Sequence, residues 1–197
     1  SIYNHLSINN NDIPKTLKLN LLLQEKLRYG ENPHQTAGYY QSNDEKFPWI
    51  QLQGKTLSFN NYADIESAYE IVNEFEETSC CIIKHSNPCG FGIAETPFTA
   101  YRRAVKTDPL SCFGGIVSFN REINEELAEE LIKTFLECII APSITKEALS
   151  IFQKKKNLRI IKCIKVENKR SFSLKSVAKG YLYQEKDSQQ NELKRLK

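Results

Sequence analysis

The amino-acid sequence predicts an α/β fold, because short apolar runs alternate along the chain with segments whose apolar residues recur at helical spacing. The apolar runs at residues 80–83 and 116–119 are typical of buried strands. Residues 62–75 place apolar side chains three and four positions apart, which is typical of a helix packed against a core. With 197 residues, the chain is long enough for one compact domain or two small ones.

The composition excludes several classes of protein. Apolar residues make up 40% of the chain, so a sizeable core can form. The net charge of +3, from 27 basic and 24 acidic residues, is too balanced to predict nucleic-acid binding. No apolar run reaches the length of a membrane span, and the N-terminus has no signal-peptide pattern. The six cysteines form no C-x-x-C pair, so we expect buried free thiols in a cytoplasmic protein.

The first quarter of the chain predicts an arm, a strand and a structured loop. Residues 1–13 are polar and rich in asparagine, as in a linker or a frayed terminus. Polar and apolar residues alternate at positions 16–21, which predicts a half-buried strand. The Gly, Asn and Pro of residues 27–35 predict a loop. In that loop Arg28 can form a fork onto phosphate or carboxylate, and Tyr29 can stack or hydrogen-bond beside it. The alternative is a surface turn with an aromatic plug.

The next segment leads into the first predicted helix. Residues 41–49 are loop-like, and residues 49–52 predict a short strand. The helix is expected at about residues 62–75, with Asn61 as its N-cap. A cap at the edge of a sheet can also face a ligand, so both roles stay open for Asn61.

Residues 83–90 are the segment of greatest chemical interest. The apolar run ends in Lys84 and His85, and an Asn-Pro step with Gly90 and Gly92 then predicts a tight loop. Ligands of open α/β sheets bind at the carboxyl ends of strands. The neighbouring cation favours a neutral imidazole, which can accept a proton, while the lysine can stabilise developing negative charge. The alternative is a solvated Lys-His pair at a strand end.

The rest of the chain continues the alternation of helices and strands. Predicted helices cover residues 96–107, 124–135 and about 145–153, and predicted strands cover residues 116–119, 137–142 and 158–164. One or two edge strands are expected within residues 166–185.

Two positions in this part are candidates for ligand contact. Gly114, in the double glycine before a strand, permits close backbone approach by a ligand, although a bulge or a turn would also use it. Glu137 places a carboxylate at the start of a buried strand, where a salt bridge at the sheet rim is the structural alternative.

Metal and nucleophile chemistry is less well supported. The segment from His85 to Cys89 resembles the zinc deaminase signature of H-x-E followed by P-C-x-x-C. Asn87 replaces the glutamate and Cys89 has no partner three residues on, so we expect no zinc. Cys89 beside His85 could act as a nucleophile, but nothing in the sequence orients the histidine toward it.

Four motifs together are far more specific than each alone. In order they are L-R-Y-G-E-N-P-H-Q at residues 27–35, L-S-F-N-N-Y-A-D at 57–64, I-K-H-S-N-P-C-G at 83–90 and K-T-D-P-L-S-C-F-G-G-I at 106–116. The chain thereby closely resembles the AICAR transformylase domain of a bifunctional purine-biosynthesis family that also carries IMP cyclohydrolase. The resemblance covers about residues 17–162 and continues more weakly to the end.

This resemblance implies a fold, an activity and a domain plan. The fold would be α/β, in the form of a cytidine deaminase-like three-layer fold with a mixed sheet and no zinc. The activity would be formyl transfer from 10-formyltetrahydrofolate to the exocyclic amine of AICAR, in a homodimer with active sites at the subunit interface. Residues 1–14 would be a linker from a cyclohydrolase domain, 15–165 the first transformylase lobe, and 166–197 a connector toward a second lobe.

The resemblance also assigns residue roles. It implies that His85 is the general base and that Lys84 stabilises the transition state. The implied substrate-binding residues are Arg28, Tyr29, Asn61, Gly114 and Glu137. The alternative is a non-catalytic nucleotide-binding or dimerisation module that is active only with the second lobe.

Overall fold

The computed structural model describes residue 13 and residues 15–42, 49–163 and 172–185. Within these ranges the chain forms a six-stranded sheet, two separate two-stranded sheets and four α-helices. The predicted linker at residues 1–14 lies almost wholly outside the described residues. So do residues 166–171 and 186–197 of the predicted connector.

The strands are short and the helices span two to four turns. The strands are β1 (Leu21–Leu27), β2 (Ala37–Ser42), β3 (Trp49–Gln53), β4 (Ser79–Lys84), β5 (Asn87–Ile93), β6 (Ile116–Phe119), β7 (Cys138–Ala141), β8 (Arg159–Cys163), β9 (Phe172–Val177) and β10 (Gly180–Glu185). The helices are α1 (Phe59–Asn73), α2 (Pro97–Thr107), α3 (Glu125–Leu131) and α4 (Lys146–Phe152).

The large sheet is mixed and has the strand order β3-β8-β7-β6-β4-β5. Strands β6, β7 and β8 are parallel, whereas β4 runs antiparallel to both β5 and β6, and β3 runs antiparallel to β8. Ile83 of β4 pairs with Ile116, which pairs with Cys138, which pairs with Arg159. The carboxyl end of β4 therefore lies beside the amino ends of the three parallel strands.

Helices cover both faces of this sheet. On one face, Ile65, Ala68 and Val72 of α1 join a core cluster with the strand residues that point the same way. On the other face, α2, α3 and α4 pack their buried residues, among them Ala104 and Phe152, into a second cluster. The α/β class and the mixed sheet are thus confirmed, while the cytidine deaminase-like fold stays a prediction. Among the described residues, no helix is both long and apolar enough to cross a bilayer.

Most of the predicted elements are present, but the segment after His85 differs from the prediction. Residues 87–93 form the edge strand β5, not a loop. Pro88 has no backbone N–H to donate to a neighbouring strand. Proline is tolerated in an edge strand such as β5, because one side of that strand has no partner strand. The glycines are there because α2 packs closely on β5: a Cβ at Gly92 would lie 2.3 Å from the Ala100 carbonyl oxygen.

Several boundaries and one strand pairing also differ. Strand β1 begins at Leu21, and residues 17–20 are exposed and not in a strand. Strand β2 covers residues 37–42, where the sequence predicted a loop from residue 41. Helix α3 ends at Leu131, four residues before its predicted end. Strands β9 and β10 pair with each other in their own sheet and are not edge strands of the large one.

Candidate functional site

Lys84 and His85 lie at the tip of the β4–β5 hairpin. Strand β4 is buried up to Ile83, and its last residue, Lys84, is partly buried and donates from Nζ to the Phe113 carbonyl oxygen at 3.0 Å. His85 is exposed and is the first residue of a two-residue turn. The φ angles of His85 (53°) and Ser86 (58°) are both positive, as in the type I′ turns that fit the twist of hairpins.

Two further contacts hold this turn. The Asp64 carboxylate of α1 accepts hydrogen bonds from the Ser86 backbone N–H at 2.7 Å and from its Oγ at 3.3 Å. Asn87 Nδ2 donates to the His85 carbonyl oxygen at 2.8 Å. The peptide group between His85 and Ser86 is therefore held at both its C=O and its N–H by polar side chains.

The loop before β6 passes directly beside Lys84. Gly114 has a φ of 75°, which an L side chain rarely adopts, and its N–H donates to the Phe135 carbonyl oxygen at 2.8 Å. One residue later, the Gly115 carbonyl oxygen accepts from the Glu137 N–H at 3.0 Å. The positive φ favours glycine at position 114. Through its hydrogen bonds the loop connects the Lys84 ammonium to the start of β7.

Asn61 and Glu137 contact each other at the amino end of β7. Asn61 is buried and donates from Nδ2 to Glu137 Oε2 at 3.1 Å. The sequence prediction of Asn61 as the N-cap is wrong: Ser58 caps α1, and Asn61 completes a capping box by accepting from the Ser58 N–H. Arg159 Nη1 lies 3.7 Å from the same Glu137 oxygen, so the salt bridge that the sequence offered as an alternative is present.

Arg28 and Tyr29 follow β1 in the loop of the small β1–β2 sheet. The Arg28 guanidinium lies over the Tyr29 ring, 5.6 Å from its centroid. Tyr62 of α1 links this sheet to the rest of the molecule, since its hydroxyl donates to Glu25 at 2.9 Å and its ring stacks on Tyr39 at 4.7 Å. Burial and the bond to Glu25 raise the pKa of the Tyr62 hydroxyl, so it stays a donor at neutral pH.

Side chains from the first two turns of α1 form hydrogen bonds to several segments that carry predicted site residues. Asn61 contacts Glu137, Tyr62 contacts β1, and Asp64 contacts the turn that carries His85. Together with the Lys84–Phe113 bond, these contacts place the predicted residues of the large sheet at one end of its strands, where β4 ends and β6 and β7 begin. These residues are His85, Lys84, Gly114, Asn61 and Glu137. Arg28 and Tyr29 lie in the loop of the separate β1–β2 sheet, which contacts α1 through Tyr62.

The site is open to solvent. One cleft of about 350 Å³ lies next to it, lined by the loop after Tyr29, the start of β2 and Phe59. A second cleft of about 330 Å³ lies near the opposite edge of the sheet, beside Asn120 and Arg121. Neither cleft is lined by Lys84 or His85.

Other chemistry at this edge has less support. Cys89 Sγ donates to the Ile82 carbonyl oxygen at 3.5 Å, and burial raises the pKa of its thiol. A raised pKa lowers the thiolate fraction, which makes Cys89 a poor nucleophile at neutral pH. Within the described residues, no group of three or more His, Cys, Asp or Glu side chains is arranged to hold a metal ion.

Two side chains at this edge were missed by the sequence reasoning. Asp64 stands three residues after Asn61 and therefore on the same side of α1, which was a usable signal. Arg159 is the first residue of β8, and Glu137 immediately precedes the adjacent strand β7. The two side chains are neighbours because β7 and β8 pair, which the sequence alone does not show.

Comparisons with known proteins agree with the motifs. Two relatives are named bifunctional purine biosynthesis protein PurH. The one from Clostridium botulinum (strain Hall) is 46% identical over 183 residues, which cover 90% of this chain and 36% of that protein. The one from Thermoanaerobacter sp. (strain X514) is 45% identical over 190 residues, 94% of this chain and 37% of that protein. The chain thus spans about a third of the length of these relatives.

The solved structures add no argument about the fold. RibD from Acinetobacter baumannii matches with a TM-score of 0.38 and 14% identity, over 49% of this chain and 33% of that one. In contrast, the family model described as AICARFT/IMPCHase bienzyme matches residues 1–197. The chain therefore belongs to the AICARFT/IMPCHase bienzyme family.

Proposed function

We propose that this chain supplies the general base and a stabilising positive charge for formyl transfer from 10-formyltetrahydrofolate to the exocyclic amine of AICAR, a step of purine nucleotide synthesis. The relatives' names give the pathway. The observation that carries the proposal is the Lys84–His85 pair, one side chain partly buried against the Gly114 loop and the other exposed on a fixed turn. The whole protein is proposed to act also as an IMP cyclohydrolase.

The reaction needs both groups. The AICAR amine is conjugated with its ring and carboxamide, so it is a poor nucleophile until a base takes its proton. His85 accepts that proton as the amine nitrogen bonds to the formyl carbon, and the carbonyl electron pair moves onto oxygen. Collapse of this tetrahedral species breaks the bond to the folate N10, which leaves with a proton. General-base catalysis and oxyanion stabilisation each contribute roughly 10²–10⁴ in rate.

Lys84 is proposed to stabilise the tetrahedral oxyanion. Its ammonium has three donors, and the bond to the Phe113 carbonyl uses one of them at 3.0 Å. That bond fixes the ammonium next to the His85 turn and leaves two donors for the oxyanion. A positioned charge is worth more here than a freely rotating one, since no reorganisation is needed when the oxyanion forms.

The remaining predicted residues are proposed to bind the nucleotide. Arg28 offers a planar fork suited to the phosphate, and the Tyr29 ring lies against the guanidinium. Gly114 lets the substrate approach the backbone, with no Cβ in the way. Asn61 orients the Glu137 carboxylate, whose free lone pairs can accept from N–H or O–H groups of AICAR.

The proposed active state is a homodimer in a cytoplasmic protein, with folate as co-substrate and no metal in the chemistry. His85 is exposed to solvent. Water must be excluded for the electrostatic stabilisation to be strong. A second protein surface over His85 would supply that exclusion, and the proposal assigns it to a partner subunit.

Replacing His85 tests the proposal. His85→Ala in the active enzyme should lower the turnover of AICAR to formyl-AICAR by ~10² or more. Because the His85 side chain is exposed, the urea unfolding midpoint of the His85→Ala variant should match that of the control variant Lys156→Ala. Lys156 is exposed and lies outside the site, so the control should keep full activity. Near wild-type turnover in His85→Ala would remove the assigned base.

A second candidate is a nucleotide-binding or dimerisation module without turnover of its own. Two observations favour this second candidate for the isolated chain: His85 is exposed, and the chain spans about a third of the length of its relatives. The 197-residue chain is mixed with AICAR and 10-formyltetrahydrofolate, and both binding and formyl transfer are measured. Turnover supports the first candidate, and AICAR binding without turnover supports the second.

A further inference from the structure

The turn that carries His85 has an unusual sequence for its shape. Both residues of the turn, His85 and Ser86, have positive φ angles of 53° and 58°. Hairpin turns of this shape favour Asn-Gly or Gly-Gly, because a Cβ makes positive φ unfavourable. Something outside the turn must therefore hold it in this conformation, or the backbone would relax and redirect the His85 side chain.

Asp64 provides such a contact. Its Oδ1 accepts from the Ser86 N–H at 2.7 Å and from Ser86 Oγ at 3.3 Å. A carboxylate that accepts a backbone N–H forms a charge-assisted bond, stronger than a neutral one. Asp64 is itself held in place, since its neighbour Ile65 is fully buried in the core beneath α1. The contact thus ties a rigid helix to a strained turn.

The Asn87 contact alone would not do the same. Asn87 lies in the same hairpin, so its bond to the His85 carbonyl oxygen at 2.8 Å moves with the turn. Asp64 comes from a separate element, 22 residues earlier in the chain. Of the two side chains that bond to this peptide group, Asp64 is therefore the one that ties the turn to α1, which also carries Asn61.

We propose that Asp64 is a positioning residue that locks the His85–Ser86 turn in its positive-φ conformation and so aims the imidazole at the substrate. The inference rests on the proposed function, in which His85 is the general base. Asp64 touches neither substrate nor the reacting atoms in this proposal. It acts through the backbone of the turn.

The experiment compares Asp64→Ala with Glu129→Ala in the active enzyme; Glu129 is an exposed carboxylate on α3. Misplacing a catalytic group by about 1 Å can cost ~10²-fold in rate, so Asp64→Ala should lower kcat by roughly 10- to 100-fold with little change in KM for AICAR. Amide hydrogen exchange at Ser86 should become faster. Asp64→Asn, which keeps an oxygen acceptor without the charge, should fall between wild type and Asp64→Ala.

A rescue variant separates positioning from general destabilisation. In the Asp64→Ala background, Ser86→Gly should restore most of the lost kcat, because glycine adopts positive φ without a Cβ clash. Kinetics and Ser86 exchange equal to those of Glu129→Ala, or a loss of kcat that Ser86→Gly leaves unchanged, would overturn the proposal. His85→Ala is measured alongside: if it retains turnover, the general-base assignment fails, and Ser86 exchange in Asp64→Ala still decides whether Asp64 holds the turn.

Discussion

Glu137, a proposed substrate contact, is held by two neighbouring side chains. Its carboxylate accepts from Asn61 at 3.1 Å and lies 3.7 Å from the Arg159 guanidinium. The Glu137 side chain is 44% exposed, so water and salt screen its charge. An ion pair of this kind contributes little to stability, and the residue is available to bind a ligand.

Replacing Glu137 by glutamine should therefore affect binding more than folding. Glu137→Gln keeps the side-chain shape and the acceptor for Asn61 but removes the charge. Loss of a hydrogen bond to a charged group costs about 1.5–3 kcal/mol, so KM for AICAR should rise roughly 10- to 100-fold. Steady-state kinetics and urea unfolding check this, with Glu129→Gln as the exposed-carboxylate control. A shifted unfolding midpoint with an unchanged KM would assign Glu137 a structural role.

At this scale the sequence indicates the proposed site residues but not the contacts that hold them in place. Lys84, His85, Gly114 and Glu137 belong to motifs or strand ends that can be read locally. The role of Asn61 was misassigned because Ser58, three residues earlier, is an equally good cap, and only the backbone geometry distinguishes them. The contact between Asp64 and Ser86 joins two elements, so the spacing of Asp64 from Asn61 indicates its side of α1 but not its partner.

Among the elements, β5 was the largest miss. Asn, Pro and two glycines normally end regular structure, so the segment predicted a loop. Its glycines instead serve the packing of α2: Gly90 and Gly92 would place a Cβ 2.4 Å and 2.3 Å from the carbonyl oxygens of Ala104 and Ala100. A tertiary contact of this kind cannot be read from the residues of one segment. Strand β4 was predicted correctly because both of its faces are buried, which gives a continuous apolar run.

Substituting one of these glycines tests the close packing of α2 on β5. In Gly92→Ala the new methyl group would meet backbone atoms of α2, which cannot move aside without shifting the helix. Overpacking of this kind costs typically about 1–3 kcal/mol in the free energy of unfolding. Gly180→Ala is the control, because its Cβ would meet only the Val177 carbonyl oxygen at 4.0 Å. Equal stabilities of the two variants, measured by urea unfolding, would contradict this account of β5.

The whole molecule depends on a sheet that is buried on both faces and rich in thiols. The chain has six free cysteines, of which five are buried and Cys89 is half-buried; all but Cys112 lie in strands of this sheet. Burial raises the pKa of Cys81 to about 12 and that of Cys163 to about 12, because the low-dielectric core disfavours a thiolate. The α/β class was predictable from the alternation of apolar runs and helical patterns. The packing of β1–β2 on α1 through Tyr62 was not, since it joins segments 37 residues apart.

These thiols should make the fold sensitive to alkali. In the unfolded chain a thiol loses its proton near its ordinary pKa of about 9, whereas in the folded chain Cys81 and Cys163 keep theirs up to about 12. Their contribution is therefore fully present below pH 9 and is lost as the pH rises from 9 toward 12. Each thiol should lower the free energy of unfolding by about 1.4 kcal/mol per pH unit in that window.

A variant that lacks both thiols should lose stability less steeply with pH. Between pH 9 and pH 10 the double variant Cys81→Ala/Cys163→Ala should lose about 2 kcal/mol less than the wild type. Its lower starting stability from lost packing is separate, because the readout is the slope. Ile140→Val, which removes one buried methyl group from the same cluster and no thiol, should keep the wild-type slope. All three proteins share their other titratable side chains, so equal slopes in urea unfolding would mean that these two thiols ionise in the folded protein as readily as in the unfolded chain.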